Sequence, residues 1–434
     1  MVLLEHDQGT EAGHSAAWSS KRAAMIGPLE LLPKRTGSTR RAALGMLLAA
    51  PAVGCASVQS TLSNFSTYLP GQGPAEPPPA PAGPPQQPSA VGTGSVRVGL
   101  LLPLSGTGNA GVAAQSMRNA AELALVEFQN PNIQLLVKDD GSNPQGAQQA
   151  AQQAIDEGAE IVLGPLFGQA VPGAAQAARS RNISVMAFST DSSVAGRGVY
   201  LLSFLPESDV DRIVSYAAGT GKRSFAAMLP DNAYGNVVEA AFKQAAPRRG
   251  ARIVGFERYG ADRAQMQNAA RNIAQALPQA DALLLADDGE ALASLTESLS
   301  SAGANLRNVQ LLGTGLWDNP RVFANPALQG GLFAAPDPAG YRAFAGRYRA
   351  KYGQEPVRTA TLAYDSVALV AALAKTQGPQ RFSPDILQNP SGFAGIDGLF
   401  RFKADGSNER GLAIMRVGSA GAQVAAAAPR SFGV

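Results

Sequence analysis

Histidine and cysteine are nearly absent from the 434-residue sequence, and their positions limit its chemistry. Both histidines, His6 and His14, and the only cysteine, Cys55, lie in the first 55 residues. The rest of the chain therefore has neither a histidine to activate a nucleophile nor the ligands of an ordinary zinc site. A G-x-S-x-G motif is also missing. We predict a non-enzymatic protein with no catalytic residue, no metal and no cofactor.

Clustered positive charge is missing as well. Six basic and four acidic residues fall in the first 55, so the totals of 36 and 33 become 30 and 29 beyond that point. No basic run and no interleaving of basic with aromatic residues occurs there. The sequence therefore gives no indication of nucleic-acid binding.

The first 55 residues have the order of a secretory signal. A basic region at 34–41 precedes the apolar stretch 42–53, which predicts export. The small residues just before Cys55 resemble a bacterial lipobox, although Ala52 stands where leucine is usual. This resemblance implies a lipid on Cys55 and removal of the residues before it. The alternative is an ordinary signal followed by a buried cysteine.

A proline-rich segment follows at residues 56–95. Nine prolines fall between Pro70 and Pro88, separated by Gly, Ala, Gln and a single Glu. Such a composition cannot bury a core and is typical of an extended, polyproline-like linker. We predict a disordered tether between the lipid on Cys55 and the folded part of the chain.

The folded part is organised around the stretch VRVGLLLPLSGTGNAG at residues 96–111. Its apolar start predicts a buried strand, and Gly106, Gly108 and Gly111 then match G-x-G-x-x-G before a predicted helix. Glycines at such a turn let a ligand approach the backbone and the N-terminus of the helix. Two interpretations stay open. The first is a dinucleotide fingerprint, in which an acidic residue is expected about 20 residues after the glycines, whereas Asp139 lies 28 residues after Gly111. The second is another kind of binding cleft. Export favours the second, because nicotinamide cofactors are not freely supplied outside the cytoplasm.

Strand and helix patterns alternate through the rest of the chain in two similar series. This order predicts α/β lobes whose parallel sheets are covered on both faces, with the strand-end loops along one edge. Near the C-terminus, residues 398–402 and 413–417 are predicted to pair around a hairpin turn at 405–406. Asp287 and Asp288 have two interpretations: a functional carboxylate pair, or an exposed helix N-cap.

Several motifs together carry a resemblance to a known family. They are Leu100 to Gly106, Asp139-Asp140 with Asn143-Pro144, Gly164-Pro165-Leu166, Asp231 to Gly235 and Ala363-Tyr364-Asp365. In order and spacing they resemble type I periplasmic-binding proteins of the Leu/Ile/Val-receptor kind, over residues 96–416. The resemblance implies two Rossmann-like lobes with parallel sheets, joined by three crossovers near residues 206, 332 and 388. Lobe 1 would then comprise 96–205 with 332–388, and lobe 2 would comprise 206–331 with 389–434.

The resemblance also implies a ligand site, because receptors of this family hold the carboxylate of an amino acid with hydroxyls and backbone N–H groups at strand ends. The corresponding loops give eight candidates in lobe 1: Ser105, Gly106, Phe167, Gly168, Gln169, Ser189, Thr190 and Ser193. They give three in lobe 2: Tyr234, Trp317 and Asp318. Tyr234 would cover the ligand, or its ring would lie on the surface of a capping loop. Asp318 would pair with an ammonium group, and Trp317 would touch the ligand or plug the lobe interface.

Two functions stay open, with a cryptic enzyme as a third. The stretches PLSG and VLGPLF, the lipobox and the long tether look most like the bacterial lipoproteins known as penicillin-binding protein activators. That resemblance implies an envelope lipoprotein, facing the periplasm, that activates or senses a penicillin-binding protein in peptidoglycan synthesis. Ala56 after the cysteine, by the same resemblance, indicates the outer rather than the inner membrane. The alternative is a receptor that delivers branched-chain or similar amino acids to an ABC permease. Either protein would hold a small amino-acid-like or peptide ligand in the interlobe cleft.

Overall fold

The computed structural model describes residues 89–432 of the chain. Its strands are β1 (Ala90–Val91), β2 (Val96–Leu102), β3 (Ile133–Asp139), β4 (Ala159–Leu163), β5 (Ser184–Ala187), β6 (Val199–Leu201), β7 (Ser224–Pro230), β8 (Arg252–Tyr259), β9 (Ala282–Leu285), β10 (Gln310–Gly313), β11 (Leu332–Ala335), β12 (Phe393–Gly395), β13 (Gly398–Phe402), β14 (Asn408–Arg410), β15 (Ala413–Arg416) and β16 (Gln423–Ala426). Its helices are α1 (Asn109–Glu127), α2 (Pro144–Asp156), α3 (Val171–Arg179), α4 (Pro206–Gly219), α5 (Ala233–Arg248), α6 (Arg263–Ala276), α7 (Gly289–Ser301), α8 (Pro320–Ala324), α9 (Pro338–Tyr352), α10 (Ala360–Thr376) and α11 (Pro384–Leu387). Within this part of the chain, no helix combines the length and the apolar character that a membrane crossing needs.

The first sheet has the strand order β1-β3-β2-β4-β5-β6, and all neighbours are parallel except the short β1. Successive residues of β2 are buried on opposite faces of the sheet. Leu100 packs with Met117 of α1 and Val367 of α10. Leu101 packs on the other side with Ala147 of α2. A strand covered by helices on both faces is apolar along its length, which explains the apolar run in β2.

The second sheet has the order β16-β15-β11-β10-β9-β7-β8. Strands β7 to β11 are parallel, and β15 and β16 extend one edge in antiparallel pairing. Leu284 of β9 packs with Phe242 of α5, whereas Leu285 packs on the opposite face with Leu295 of α7. The predicted fold of two α/β lobes with mostly parallel sheets is therefore confirmed.

Three short segments connect the two lobes. The chain passes from β6 to α4 through residues 202–205, from β11 to α9 through 336–337, and from β14 to β15 through 411–412. The first crossover lies at the predicted position. The second lies a few residues after 332, because β11 still belongs to the second sheet.

The third crossover, predicted near residue 388, is wrong. Strands β12, β13 and β14 form a separate antiparallel sheet, and Phe393 and Phe400 pack in the same core as Leu100 of lobe 1. Residues 389–410 therefore belong to lobe 1, and lobe 2 resumes only at β15.

The C-terminal hairpin and the start of the fold also differ from the predictions. Strand β13 pairs with β14 around the turn at 403–407, whereas β15 pairs with β11 and β16. At the other end, β1 pairs with β3, so the folded part begins before residue 96. Cys55, predicted to carry a lipid, and the predicted tether up to residue 88 lie outside the described residues.

Candidate functional site

The carboxyl ends of the parallel strands in both sheets face the space between the lobes. The crossovers indicate this, because they leave the first sheet at the carboxyl end of β6 and the second at the carboxyl end of β11. Open α/β sheets bind ligands beyond these strand ends. The loops after β2, β4 and β5 in lobe 1, and after β7, β9 and β10 in lobe 2, are therefore the candidates for the walls of an interlobe cleft.

The loop after β2 is fixed to the loop after β3. The N–H of Ser105 donates to Oδ1 of Asp139 at 3.2 Å, and the N–H of Gly141 donates to the same oxygen at 3.1 Å. Burial alone would raise the pKa of Asp139, but hydrogen bonds from the Ser105 hydroxyl and from these N–H groups hold it below its usual value. Asp139 therefore serves to hold Ser105 in place.

The glycines of the G-x-G-x-x-G stretch are explained by packing within this loop. A Cβ on Gly111 would lie 2.2 Å from the carbonyl oxygen of Gly106, and one on Gly106 would lie 2.9 Å from that of Pro103. Gly108 has a φ of 58°, in the left-handed region that favours glycine. The spacing of these glycines thus follows from a tight turn into α1 and does not require a nucleotide.

The loops after β4 and β5 come together at the cleft. A Cβ on Gly168 would lie 3.0 Å from Oγ of Ser189, so a side chain there would crowd the neighbouring loop. Ser189 is 3% exposed, and its Oγ accepts a hydrogen bond from the N–H of Asp191 at 3.0 Å. The hydroxyl of Ser193 donates to Oδ1 of Asp191 at 2.6 Å. These two serine hydroxyls therefore help to shape the loop as well as lining it.

The other predicted residues of these loops differ in their surroundings. The apolar side chain of Phe167 is half-buried. Thr190 is exposed, and its hydroxyl makes no hydrogen bond within residues 89–432. Gln169 donates from Nε2 to the carbonyl oxygen of Ser142 at 2.7 Å. It thus joins the loops after β3 and β4.

Tyr234, at the start of α5 in lobe 2, connects two loops of the cleft. Its hydroxyl lies 2.7 Å from Oγ1 of Thr314, so it joins the loop after β7 to the loop after β10. The ring packs against the core between the sheet and helices α4 and α5, and burial raises the pKa of its hydroxyl. The interpretation in which the ring of Tyr234 lies free on the surface therefore does not hold.

Trp317 is a core residue of lobe 2, which corrects its prediction as a ligand contact or interface plug. The side chain is 0% exposed, and its Nε1–H donates to the carbonyl oxygen of Leu285 at 2.9 Å. A Cβ on Gly313 would lie 2.1 Å from the indole ring, and one on Gly331 would lie 2.7 Å from it. These two glycines leave the space that the indole fills. In the sequence, Gly313, four residues before Trp317, was the available signal for this packing.

Arg358, which no motif in the sequence indicated, lies in lobe 1 just before α10. Its Nη1 and Nη2 donate to the two carboxylate oxygens of Asp397 at 3.0 and 2.6 Å, and Asp397 is 0% exposed. The hydroxyl of Thr361 donates to the same carboxylate at 2.6 Å. The rings of Phe204 and Tyr341 pack against the guanidinium, with centroids 4.5 and 4.8 Å from Cζ. These residues are far apart in sequence, so no local motif could indicate the cluster.

Asp318 brings a negative charge from lobe 2 toward this cluster. Desolvation by neighbouring atoms raises the pKa of Asp318, and the positive charge of Arg358 opposes that rise. Its side chain makes no hydrogen bond within the described residues. Arg358 of lobe 1 and Asp318 of lobe 2 are therefore close enough for their charges to interact.

A second arginine, Arg410, lies next to the third crossover and packs on the same ring, that of Phe204. We call the three crossovers, with the residues packed on them, the hinge region. Arg410 is 5% exposed, its Nε donates to the carbonyl oxygen of Ser203 at 2.7 Å, and its Cζ lies 4.7 Å from the centroid of Phe204. Burial raises the pKa of Asp209 in lobe 2 and of Asp365 in lobe 1 to about 7, although Arg410 lowers both. Charges from both lobes thus meet at the crossovers.

The acids Asp287 and Asp288 have separate structural roles. Asp288 caps α7, with Oδ1 accepting from the N–H groups of Glu290 and Ala291 at 2.9 and 3.0 Å. Asp287 accepts from the hydroxyl of Tyr259 at 2.6 Å. The N-cap interpretation is therefore confirmed.

Comparisons with known proteins agree with this architecture. A family model described as "Periplasmic binding protein" matches residues 95–422. A protein from Rhodospirillum rubrum assigned to branched-chain amino acid ABC transport is similar in structure, with 21% identity, a TM-score of 0.67, and coverage of 76% of this chain and 99% of its own. No curated protein sequence matches the chain significantly.

Two further similar structures were determined with ligands. An ABC transporter substrate-binding protein from Desulfitobacterium hafniense in complex with Leu has 18% identity and a TM-score of 0.57, over 76% of this chain and 99% of its own. A solute binding protein from R. palustris in complex with benzoate has 19% identity and a TM-score of 0.54, over 79% of this chain and 98% of its own. At these identities the similarity shows the shared fold.

Proposed function

The chain belongs to the periplasmic binding protein family, and on this premise we propose that it is an exported receptor for a small amino-acid-like ligand. The ligand lies in the interlobe cleft and is passed to an ABC-type permease. The observation that carries this proposal is the connection of the lobes by three short crossovers at the strand ends. A few residues at such points can absorb the dihedral changes of a hinge closure.

The ligand class follows from the cleft and from the similar structures. Those structures hold leucine and benzoate, which are both small molecules with one carboxylate. The cleft of this chain offers hydroxyls and backbone N–H groups in lobe 1, the charged Arg358, and Asp318 on the opposite wall. We propose a ligand of this size and charge, with branched-chain amino acids as the first candidates.

The segment that precedes the folded part, residues 55–95, favours a second function, in which the protein acts on a partner from a membrane anchor. A lipid on Cys55 and a proline-rich tether would let the folded part reach a partner at a distance while its anchor stays in the membrane. We propose this lipid-anchored arrangement in the cell envelope, with activation of a penicillin-binding protein as the competing role.

Calorimetric titration of the full chain tests the receptor function. The titrants are L-leucine, L-isoleucine, L-valine, benzoate and cell-wall peptide fragments. Saturable binding of one small acid supports the receptor. The absence of binding by every small acid, together with an unchanged melting temperature, would contradict it. A shortened tether separates the two roles, because a receptor tolerates the deletion and an activator loses function while its folded part stays intact.

A further inference from the structure

We propose that Arg358 binds the carboxylate of the cleft ligand through the free edge of its guanidinium, and so makes the cleft selective for carboxylates. This inference rests on the proposed receptor function and names the chemical group that the receptor recognises. It adds a charged lobe 1 residue to a site otherwise built from hydroxyls and backbone N–H groups.

The guanidinium is held in place by a buried partner. Two of its nitrogens bind the carboxylate of Asp397 at 3.0 and 2.6 Å, and Nη1 also donates to Oγ1 of Thr361 at 3.2 Å. Asp397 is fully buried, and Thr361 donates to it at 2.6 Å. A paired, bidentate arginine of this kind has little conformational freedom left to lose when a ligand binds.

Among the described residues, the other edge of Arg358 has no hydrogen-bond partner. A guanidinium has five N–H groups, and those on Nη1 and one on Nη2 account for the bonds to Asp397 and Thr361. The Nε–H and the second N–H of Nη2 make no hydrogen bond within residues 89–432, and 38% of the side chain is exposed. Two parallel N–H groups on one edge match the two oxygens of a carboxylate.

The surroundings place this edge at the cleft. Phe204 belongs to the first crossover, and its ring and that of Tyr341 pack against the guanidinium at 4.5 and 4.8 Å. Asp318 of lobe 2 is close enough for the charge of Arg358 to lower its pKa, against the larger effect of desolvation. A ligand between Arg358 and Asp318 would contact both lobes. For an amino acid, the carboxylate would face Arg358 and the ammonium group would face Asp318.

The test compares acids with their uncharged amides. The full chain and the variant Arg358→Gln are titrated with L-leucine, L-leucinamide, benzoate and benzamide. Arg401→Gln is the matched control, because Arg401 also donates to a carboxylate, that of Glu409 at 2.9 Å, and packs on the ring of Phe432 at 4.5 Å. Arg358→Lys keeps the charge without the paired N–H edge, and thermal unfolding of each variant verifies that it is folded.

We expect Arg358→Gln to weaken the binding of the acid by about 10- to 100-fold, the usual range for a hydrogen bond to a charged group, and to remove the preference for acid over amide. Arg358→Lys should give an intermediate loss, and Arg401→Gln should bind like the unmodified chain. If the unmodified chain binds an acid and Arg358→Gln binds it equally well, the role of Arg358 is overturned and the receptor function stands. If the unmodified chain binds neither these four compounds nor L-isoleucine or L-valine, the receptor function is overturned and this inference with it.

Discussion

Two arginines pack against the ring of Phe204, and the two regions around them differ in what they offer a ligand. Arg358 faces the cleft, with one edge on the buried Asp397 and 38% of its side chain exposed. Arg410 lies inside the hinge region, is 5% exposed, and binds the carbonyl oxygen of Ser203. The same side chain therefore serves recognition in one region and structure in the other.

The difference follows from how each guanidinium is compensated. The charge of Arg358 is paired with one carboxylate at short distance, so it can still accept a second anion from solvent. Within residues 89–432, Nη1 and Nη2 of Arg410 have no hydrogen-bond partner, although Asp209, Asp365 and Asp397 all act on its charge. A buried charge of this kind costs much free energy to disturb.

The largest expected effect is on the hinge side of this comparison. Arg410→Met should lower the free energy of unfolding by about 2 kcal/mol, because it removes the Nε–H donor to the carbonyl oxygen of Ser203 and the cation that acts on Asp209, Asp365 and Asp397. Arg401→Met, in the partly exposed pair with Glu409, should cost about 1 kcal/mol or less. Urea denaturation of both variants measures this, and equal losses would remove the distinction between the two regions.

Asp365 should make the hinge region sensitive to pH. Burial raises its pKa from 3.8 to about 7 in the folded chain, so the folded state holds a proton that the unfolded state has released. Stability should therefore fall as pH rises from about 4 to about 7, by up to about 1.4 kcal/mol per pH unit for this group.

Asp365→Asn should flatten that decline and leave the share of Asp209, whose pKa is also about 7. Unfolding free energies measured at several pH values between 4 and 8 test this. An unchanged slope in the variant would show that Asp365 does not titrate in this range.

Phe204→Leu should affect both regions, because both guanidinium groups pack on its ring. Loss of the two cation–π contacts should lower the free energy of unfolding by about 1–2 kcal/mol and weaken ligand binding a few-fold. Phe432→Leu removes the contact with Arg401 and should change stability alone. If Phe204→Leu leaves binding unaffected, the ring does not help to orient Arg358.

The smallest expected effect lies on the opposite wall of the cleft. Asp318→Asn should weaken the binding of L-leucine by about two- to fivefold, the range of a partly exposed ion pair. Benzoate has no ammonium group, so its affinity should stay the same or rise. Calorimetry with both ligands decides, and an equal loss for both would mean that Asp318 acts on closure rather than on the ammonium group.

Much of the fold was predictable because its signals are local. The apolar run of β2 and the alternation of strands with helices indicate parallel sheets buried on both faces. The third crossover was not predictable in this way, because Phe393 and Phe400 have the same pattern whichever lobe they pack against. The strand β14 has only three residues, all of them polar, so no pattern in the sequence indicated that it pairs with β13.

The residues of the candidate site were predictable only where they lie in loops at the carboxyl ends of strands. Ser189, Tyr234 and Asp318 lie within a few residues of the carboxyl ends of β5, β7 and β10, on the sides of the two sheets that the topology turns toward each other. Arg358 and Phe204 are brought together by packing between distant segments, which no spacing in the sequence records. Trp317 was misplaced because its burial depends on the space above Gly313.

The most direct test of the account is small-angle X-ray scattering of the full chain with and without a saturating amount of the acid that binds most tightly. Closure of the two lobes over a ligand held by Arg358 predicts a smaller radius of gyration when the acid is present. The Arg358→Gln variant should show a smaller change at the same concentration of acid, in proportion to its weaker binding. An unchanged radius in the unmodified chain, at a concentration where calorimetry shows saturation, would contradict the account, because the ligand would then bind without closing the cleft.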